Sequence, residues 1–229
     1  PFESKKVRAG FRSALDVEAF RKKFYPDALR AFGYVPPGLP GYLATSSEPQ
    51  GKPSNSLSFK KIKLAIPIEL AQHKEMKTFL ENAWKKNGWN VEVIAMPWDE
   101  LMSGYANKSH QAFLVSMNID YPDTEFLLRN FESTNPDNFS GLKNTELDGL
   151  LKVARASRDR KEWERLYRRS LNIINDSALT INLFHPRANY WVSKCVKGFE
   201  PNILADIYID YSKVFLDENC ETKMRGASL

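Results

Sequence analysis

Lys61-Ile62-Lys63-Leu64-Ala65-Ile66-Pro67 is followed about twenty residues later by Asn90-Val91-Glu92-Val93-Ile94-Ala95-Met96. The first run alternates as a strand does, where successive side chains point to opposite faces. Between the two, Met76, Phe79, Leu80, Ala83 and Trp84 recur on one face of a helix, and Gly88 supplies its stop. Strand, helix and strand at this spacing form a βαβ unit, and a crossover of that length implies parallel strands. The fold class that follows is α/β.

Working outward, Pro97-Trp98-Asp99-Glu100-Leu101 starts a further short helix that ends near Asn107. Ala112-Phe113-Leu114-Val115-Ser116-Met117 then reads as a third, buried strand, which extends the unit to βαβαβ in three layers. Asn118-Ile119-Asp120-Tyr121-Pro122-Asp123 makes an acidic turn, and a short amphipathic helix with Phe126, Leu127, Leu128 and Phe131 follows. Open α/β sheets bind ligands outside the carboxyl ends of their strands. Residues 112–132 are therefore expected to form one wall of a binding cleft.

On the amino-terminal side, Val7, Phe11 and Ala14 share a helical face, and Asp16 caps a second helix over 17–23. Pro26-Asp27 is read as restarting a helix that ends at Gly33. The run 34–42 is too rich in Pro and Gly for regular structure, but Tyr34 and Tyr42 can anchor it as an ordered loop. Residues 45–59 are a polar loop. Toward the carboxyl terminus, Thr145 is expected to cap a helix burying Leu147, Leu150, Leu151 and Val153. A second helix runs from Asp159 to Asn175. Strands are expected over 179–184, 190–196 and 207–216, before a polar, frayed tail at 217–229.

Composition narrows the function classes. The chain has 229 residues, 42% hydrophobic and 27% charged, with 33 basic against 28 acidic side chains and a formal net charge of +5. That mild basicity does not by itself mark a nucleic-acid partner, and the arginines around Arg158–Arg169 alternate with Asp159, Glu162 and Glu164, as on a solvated, ion-paired face. Cys195 and Cys220 show no metal or framework spacing, and Cys195 is expected as a buried free thiol. The three histidines do not cluster with acids at metal-ligand spacing, so no metal or cofactor is expected. A start at Pro1 without Met or a signal-peptide core suggests a processed chain or a fragment.

No phosphate-binding loop, dinucleotide fingerprint or nucleophile elbow is present. Asp120 and Asp123 would suit paired acid/base work, but no nucleophile lies near them in sequence, and a non-enzyme is expected. Each candidate keeps a plainer alternative. Asp120 and Asp123 can be turn or helix-start carboxylates, Trp98 can be core, and Met117 can be a filler.

The ordered series of segments resembles the family 5 extracellular solute-binding proteins, the peptide- and nickel-binding components of ABC importers. It runs through Lys6-Val7-Arg8-Ala9-Gly10-Phe11-Arg12-Ser13-Ala14-Leu15-Asp16, Gly38-Leu39-Pro40-Gly41-Tyr42, Met96-Pro97-Trp98 and Asp120-Tyr121-Pro122-Asp123 with Phe126-Leu127. Asn144-Thr145-Glu146-Leu147-Asp148, Asp159 and Leu166-Tyr167 complete it. The resemblance implies a periplasmic-binding-protein-like lobe (class C, type II), three-layer α/β/α with a mixed sheet. On this basis residues 1–229 are a single C-terminal lobe of a monomeric two-lobe clamp that closes on ligand.

The same resemblance implies a periplasmic or extracytoplasmic protein, with lipid anchoring through a missing N-terminal part as one option. It implies a peptide ligand, ABC permease subunits and the protein's own N-terminal lobe as partners, and no nucleic acid. Asp120 would pair with the ligand's α-ammonium and Trp98 would line the cleft. Ser116, Met117 and Asn118 would offer strand-end backbone to an extended peptide, with Tyr121 beside them. Ser116 and Met117 depart from the family's usual Gly and Trp, and neither Tyr105 nor Leu114 supplies a cation for a peptide carboxylate. A solute-sensing lobe of a transcriptional regulator, or an importer for a nickel chelate, haem or sugar, are the alternatives.

Overall fold

The computed structural model describes residues 2–45, 61–117, 119–201, 209–217 and 220. In chain order it contains α1 (Lys5–Ser13), α2 (Val17–Phe24), β1 (Leu29–Arg30), β2 (Ile62–Pro67), α3 (Lys74–Lys85), β3 (Val91–Met96), α4 (Trp98–Ala106) and β4 (Ala112–Phe113). Then follow α5 (Thr124–Leu128), α6 (Thr145–Ala156), α7 (Arg160–Ser177), β5 (Phe184–His185), β6 (Val196–Lys197) and β7 (Phe215–Leu216). Two compact units result. The larger combines Pro1–Asn118 with Asp123–Pro186, and the smaller combines Ile119–Pro122 with Arg187–Leu229.

In the larger unit β2 lies between β3 and β4, parallel to both, with Ile62 opposite Val91 and Ala65 opposite Phe113. The two-residue period decides the layers. Ile62, Leu64, Ile66, Val91 and Val93 point into one cluster with Met76, Leu80 and Trp84 of α3 and Phe11 and Phe20 of α1 and α2. Ala65 and Met96 point the other way and meet Leu101 of α4. Helices thus cover both faces of the sheet, as parallel strands require. Phe11 stacks on Trp84 with centroids 4.6 Å apart, and the Trp84 indole donates to the Phe11 carbonyl at 2.9 Å. Burial of this apolar surface drives the packing.

The amino-terminal helices have a second function in the fold. Arg8 and Arg12 donate to the carbonyls of Ser177 and Asn175 at 3.0 and 2.6 Å, satisfying orphan acceptors at the end of α7. Asp16 caps α2 by accepting from the Ala19 amide. Residues 34–43 form an ordered loop. Gly41, at φ +86°, lies against Tyr167, where an added Cβ would come within 2.7 Å, and its amide donates to Glu164 at 2.7 Å. A side chain there would force α7 away. Thr124 Oγ1 donates to the Pro40 carbonyl at 2.7 Å, so the loop also holds the start of α5.

Several expected elements differ. Leu29 and Arg30 pair antiparallel with β5 instead of continuing a helix, because Phe184 and His185 offer a ladder there. Asn144, one residue before Thr145, caps α6 through the Leu147 amide. Among the described residues the later strands span two residues each. Residues 46–59 of the expected polar loop and the tail beyond Asp217, Cys220 excepted, lie outside the described residues.

The smaller unit is built on the antiparallel β6–β7 ladder and a disulfide between Cys195 and Cys220, with Cα atoms 5.5 Å apart. This corrects the expectation of a free thiol. The Asp217 amide donates to the Cys195 carbonyl at 2.8 Å, and that register brings Cys220 within reach. Gly198 faces the Lys213 carbonyl so closely that a Cβ would come within 1.8 Å. Ile209 is buried, whereas Trp191 is 99% exposed and Val192, Tyr211, Phe215 and Leu216 are also exposed.

Candidate functional site

Three connections leave the carboxyl ends of the parallel strands and share one edge of the sheet. β2 ends at Pro67, opposite Met96 of β3, and passes into a 3-10 turn, Ile68–Gln72. β3 ends at Met96. Pro97 brings no amide hydrogen to the turn, and Trp98 opens α4. Leu101, fully buried, pins that helix to the sheet through Ala65 and Met96. At the far end of α4, Gly104 leaves room for the His110 ring, whose Nε2 lies 3.2 Å from the Leu101 carbonyl. The chain then turns back into β4, which among the described residues is the edge strand beside β2.

β4 pairs only through Ala112 and Phe113, with one further bond from the Leu114 amide to the Ala65 carbonyl at 2.9 Å. Beyond it, no backbone hydrogen bond among the described residues engages Val115, Ser116 or Met117. Ser116 and Met117 are exposed and stand past the ladder instead of inside it. Trp98 is 47% exposed, which removes it from the core. The structure therefore brings Trp98, Ser116 and Met117 to one sheet edge. Asn118 lies outside the described residues.

Asp120 and Tyr121 belong to the smaller unit and are both exposed. Asp123 belongs to the larger unit and caps α5, its Oδ1 accepting from the Glu125 amide at 2.9 Å. Glu125 and Glu132 in turn hold Arg155 at 2.7 and 2.6 Å, which ties α5 to α6 and holds the arginine's proton more firmly than usual. Tyr105 is a packing residue: its ring meets Phe113 edge-on at 4.7 Å, and burial raises its phenol pKa.

Ile68 and Glu69 were not singled out in the sequence. The signal was present: the central strand of a parallel sheet opens on the same edge as its neighbours. Elsewhere, a groove of about 640 Å³ lies between α2 and α3, lined by Asp16, Lys23, Glu75, Phe79 and Asn87. It contains none of the expected site residues. No group of three or more potential metal ligands occurs among the described residues.

No family model matches the sequence. The chain is 24% identical over 217 residues to the dipeptide-binding protein of Escherichia coli (strain K12), covering 87% of this chain and 41% of that protein. It is similar to the structure of the Escherichia coli murein tripeptide binding protein, with a TM-score of 0.76, 18% identity, and coverage of 94% and 46% of the two chains. It is also similar to an ABC transporter-associated periplasmic binding protein from Helicobacter pylori in complex with the peptide STSA. There the TM-score is 0.72 and the identity 20%, with coverage of 95% and 45%. The chain thus spans less than half the length of the proteins it matches. Its fold is that of periplasmic binding proteins.

Proposed function

We propose that this chain is one lobe of the substrate-binding component of an ABC importer, and that it takes peptides. The chain resembles a dipeptide-binding protein along 87% of its length. The observation that carries the proposal is the edge strand β4, which runs on into the exposed, unladdered Ser116 and Met117 at the carboxyl edge of a parallel sheet. Backbone of this kind can accept an extended peptide as an added strand, whatever the peptide's sequence.

In this reading Asp120 receives the ligand's α-ammonium, and Trp98 and Met117 contact its apolar parts. A second lobe completes a cleft that closes on ligand, and the closed form docks on permease subunits. The protein acts as a monomer and performs no chemistry on its ligand. The Cys195–Cys220 disulfide fits an oxidising, extracytoplasmic compartment.

Native mass spectrometry of the full-length protein, purified without added ligand, tests this. A ladder of co-purified peptide masses is the expected result. A single non-peptide adduct would overturn the proposal.

A further inference from the structure

The carboxyl edge of the parallel sheet has a chemical character that the whole chain does not share. The larger unit exposes four large apolar side chains among its described residues, and three of them, Ile68, Trp98 and Met117, follow the ends of β2, β3 and β4. Scattered apolar residues on a surface need no explanation, but three gathered at one edge of one sheet do.

The charge at this edge is equally uneven. The segments 68–73, 97–103 and 114–117 contain Glu69, Asp99 and Glu100 and neither Lys nor Arg, in a chain of net charge +5. All three acids are exposed, and none forms an ion pair among the described residues. By contrast, Glu18, Glu75, Glu92, Glu125, Glu132 and Glu164 each meet a Lys or Arg within 4.0 Å. Asp99 and Glu100 lie in the first turn of α4, where negative charge favours the helix start, yet that leaves their charge facing outward. Glu69, in the 3-10 turn after β2, has no α-helix start to serve.

We infer that this edge selects peptides that are cationic and apolar, and turns away acidic ones. The inference rests on the peptide-binding proposal and assigns it a substrate class. Trp98 offers a ring face to a ligand ammonium or guanidinium as well as to an aliphatic side chain. Ile68 and Met117 supply apolar contact, and the three acids set the sign of the field. Surface pairs are individually weak, but a lysine gains where a glutamate loses, so three acids separate the two by roughly ten- to a hundredfold at low salt.

The test is calorimetry on the full-length protein with the tripeptides Leu-Leu-Lys, Leu-Leu-Gln, Leu-Leu-Glu and Ser-Ser-Lys, each at two salt concentrations. Affinity is expected to fall in the order Lys, Gln, Glu, with the spread shrinking as salt rises, and Ser-Ser-Lys is expected to bind more weakly than Leu-Leu-Lys. The triple variant Glu69→Gln, Asp99→Asn, Glu100→Gln should bring the affinities of the three leucine peptides together. Equal affinity for all three in the unaltered protein would overturn the inference and leave peptide binding standing. Failure of every peptide to bind would overturn peptide binding itself.

Discussion

Reduction of the Cys195–Cys220 disulfide should open the smaller unit while leaving the larger one folded. The two cysteines are 25 residues apart. In the chain-entropy treatment a link across that span stabilises by about 3.5 kcal/mol. Among the described residues little else holds this ladder. There β6 and β7 pair through two residue pairs, and Phe215 and Leu216 are exposed, so these pairs bury little apolar surface. Loss of the link should therefore speed amide exchange across 195–198 and 214–217 by up to roughly 300-fold, at about 1.4 kcal/mol per tenfold. The core strands should not respond, because Ile62, Ile66 and Val93 are fully buried in a cluster that contains no cysteine. Hydrogen exchange read by mass spectrometry, on full-length protein with and without reductant, separates these regions. Unchanged exchange in the ladder would mean that other contacts carry it. Equal loosening of β2 and β3 would mean that the two units unfold together.

Burial and the neighbouring Arg30 hold the His185 imidazole down at about 4, so it is neutral in the fold and takes up a proton on unfolding between about pH 6.5 and 4. Stability should be full above pH 6.5 and fall by roughly 1–2 kcal/mol as the pH drops to 4, less than the full shift because the ring is partly hydrated. Urea titrations of a His185→Gln variant should lack that slope, and an undiminished slope would assign it to other groups. Asp120→Ala should weaken peptide binding about tenfold or more without lowering the unfolding midpoint, the scale of one charged hydrogen bond. Unchanged affinity in calorimetry would remove the amine-anchor role.

The legible parts of the fold were those fixed by short-range periodicity. Ile62, Leu64 and Ile66 alternate with Lys63 and Ala65 in the sequence, and the same alternation assigns them to opposite layers. Asp16, Asp123 and Asp159 stand where caps are needed, and all three accept the amide of a first-turn residue. The illegible parts depend on partners far along the chain. Arg8 and Arg12 look like an ordinary helix face until the end of α7, more than 160 residues away, presents its carbonyls. Leu29 and Arg30 are strand only because β5 lies beside them. Cys195 meets Cys220 only because β6 and β7 set the register. No local pattern encodes any of these three.

The candidate site divides along the same line. Trp98 could be placed from sequence because it follows a strand whose end Pro97 marks, whereas Ser116 and Met117 were read as the end of a buried strand and stand exposed beyond a two-residue ladder. The character of the edge could not be read from sequence. Composition averages 33 basic and 28 acidic side chains into a mild positive charge. The sheet instead sorts them, sending the three acids of two separate connections to one end. Ile68 and Glu69 stand at the middle of that edge because the order β3-β2-β4 makes β2 the central strand. A ligand meets that local field within about a Debye length, some 8–10 Å, and not the sum over the chain. Peptide preference should therefore follow Glu69, Asp99 and Glu100, and stay indifferent to distant surface lysines whose removal alters the net charge equally.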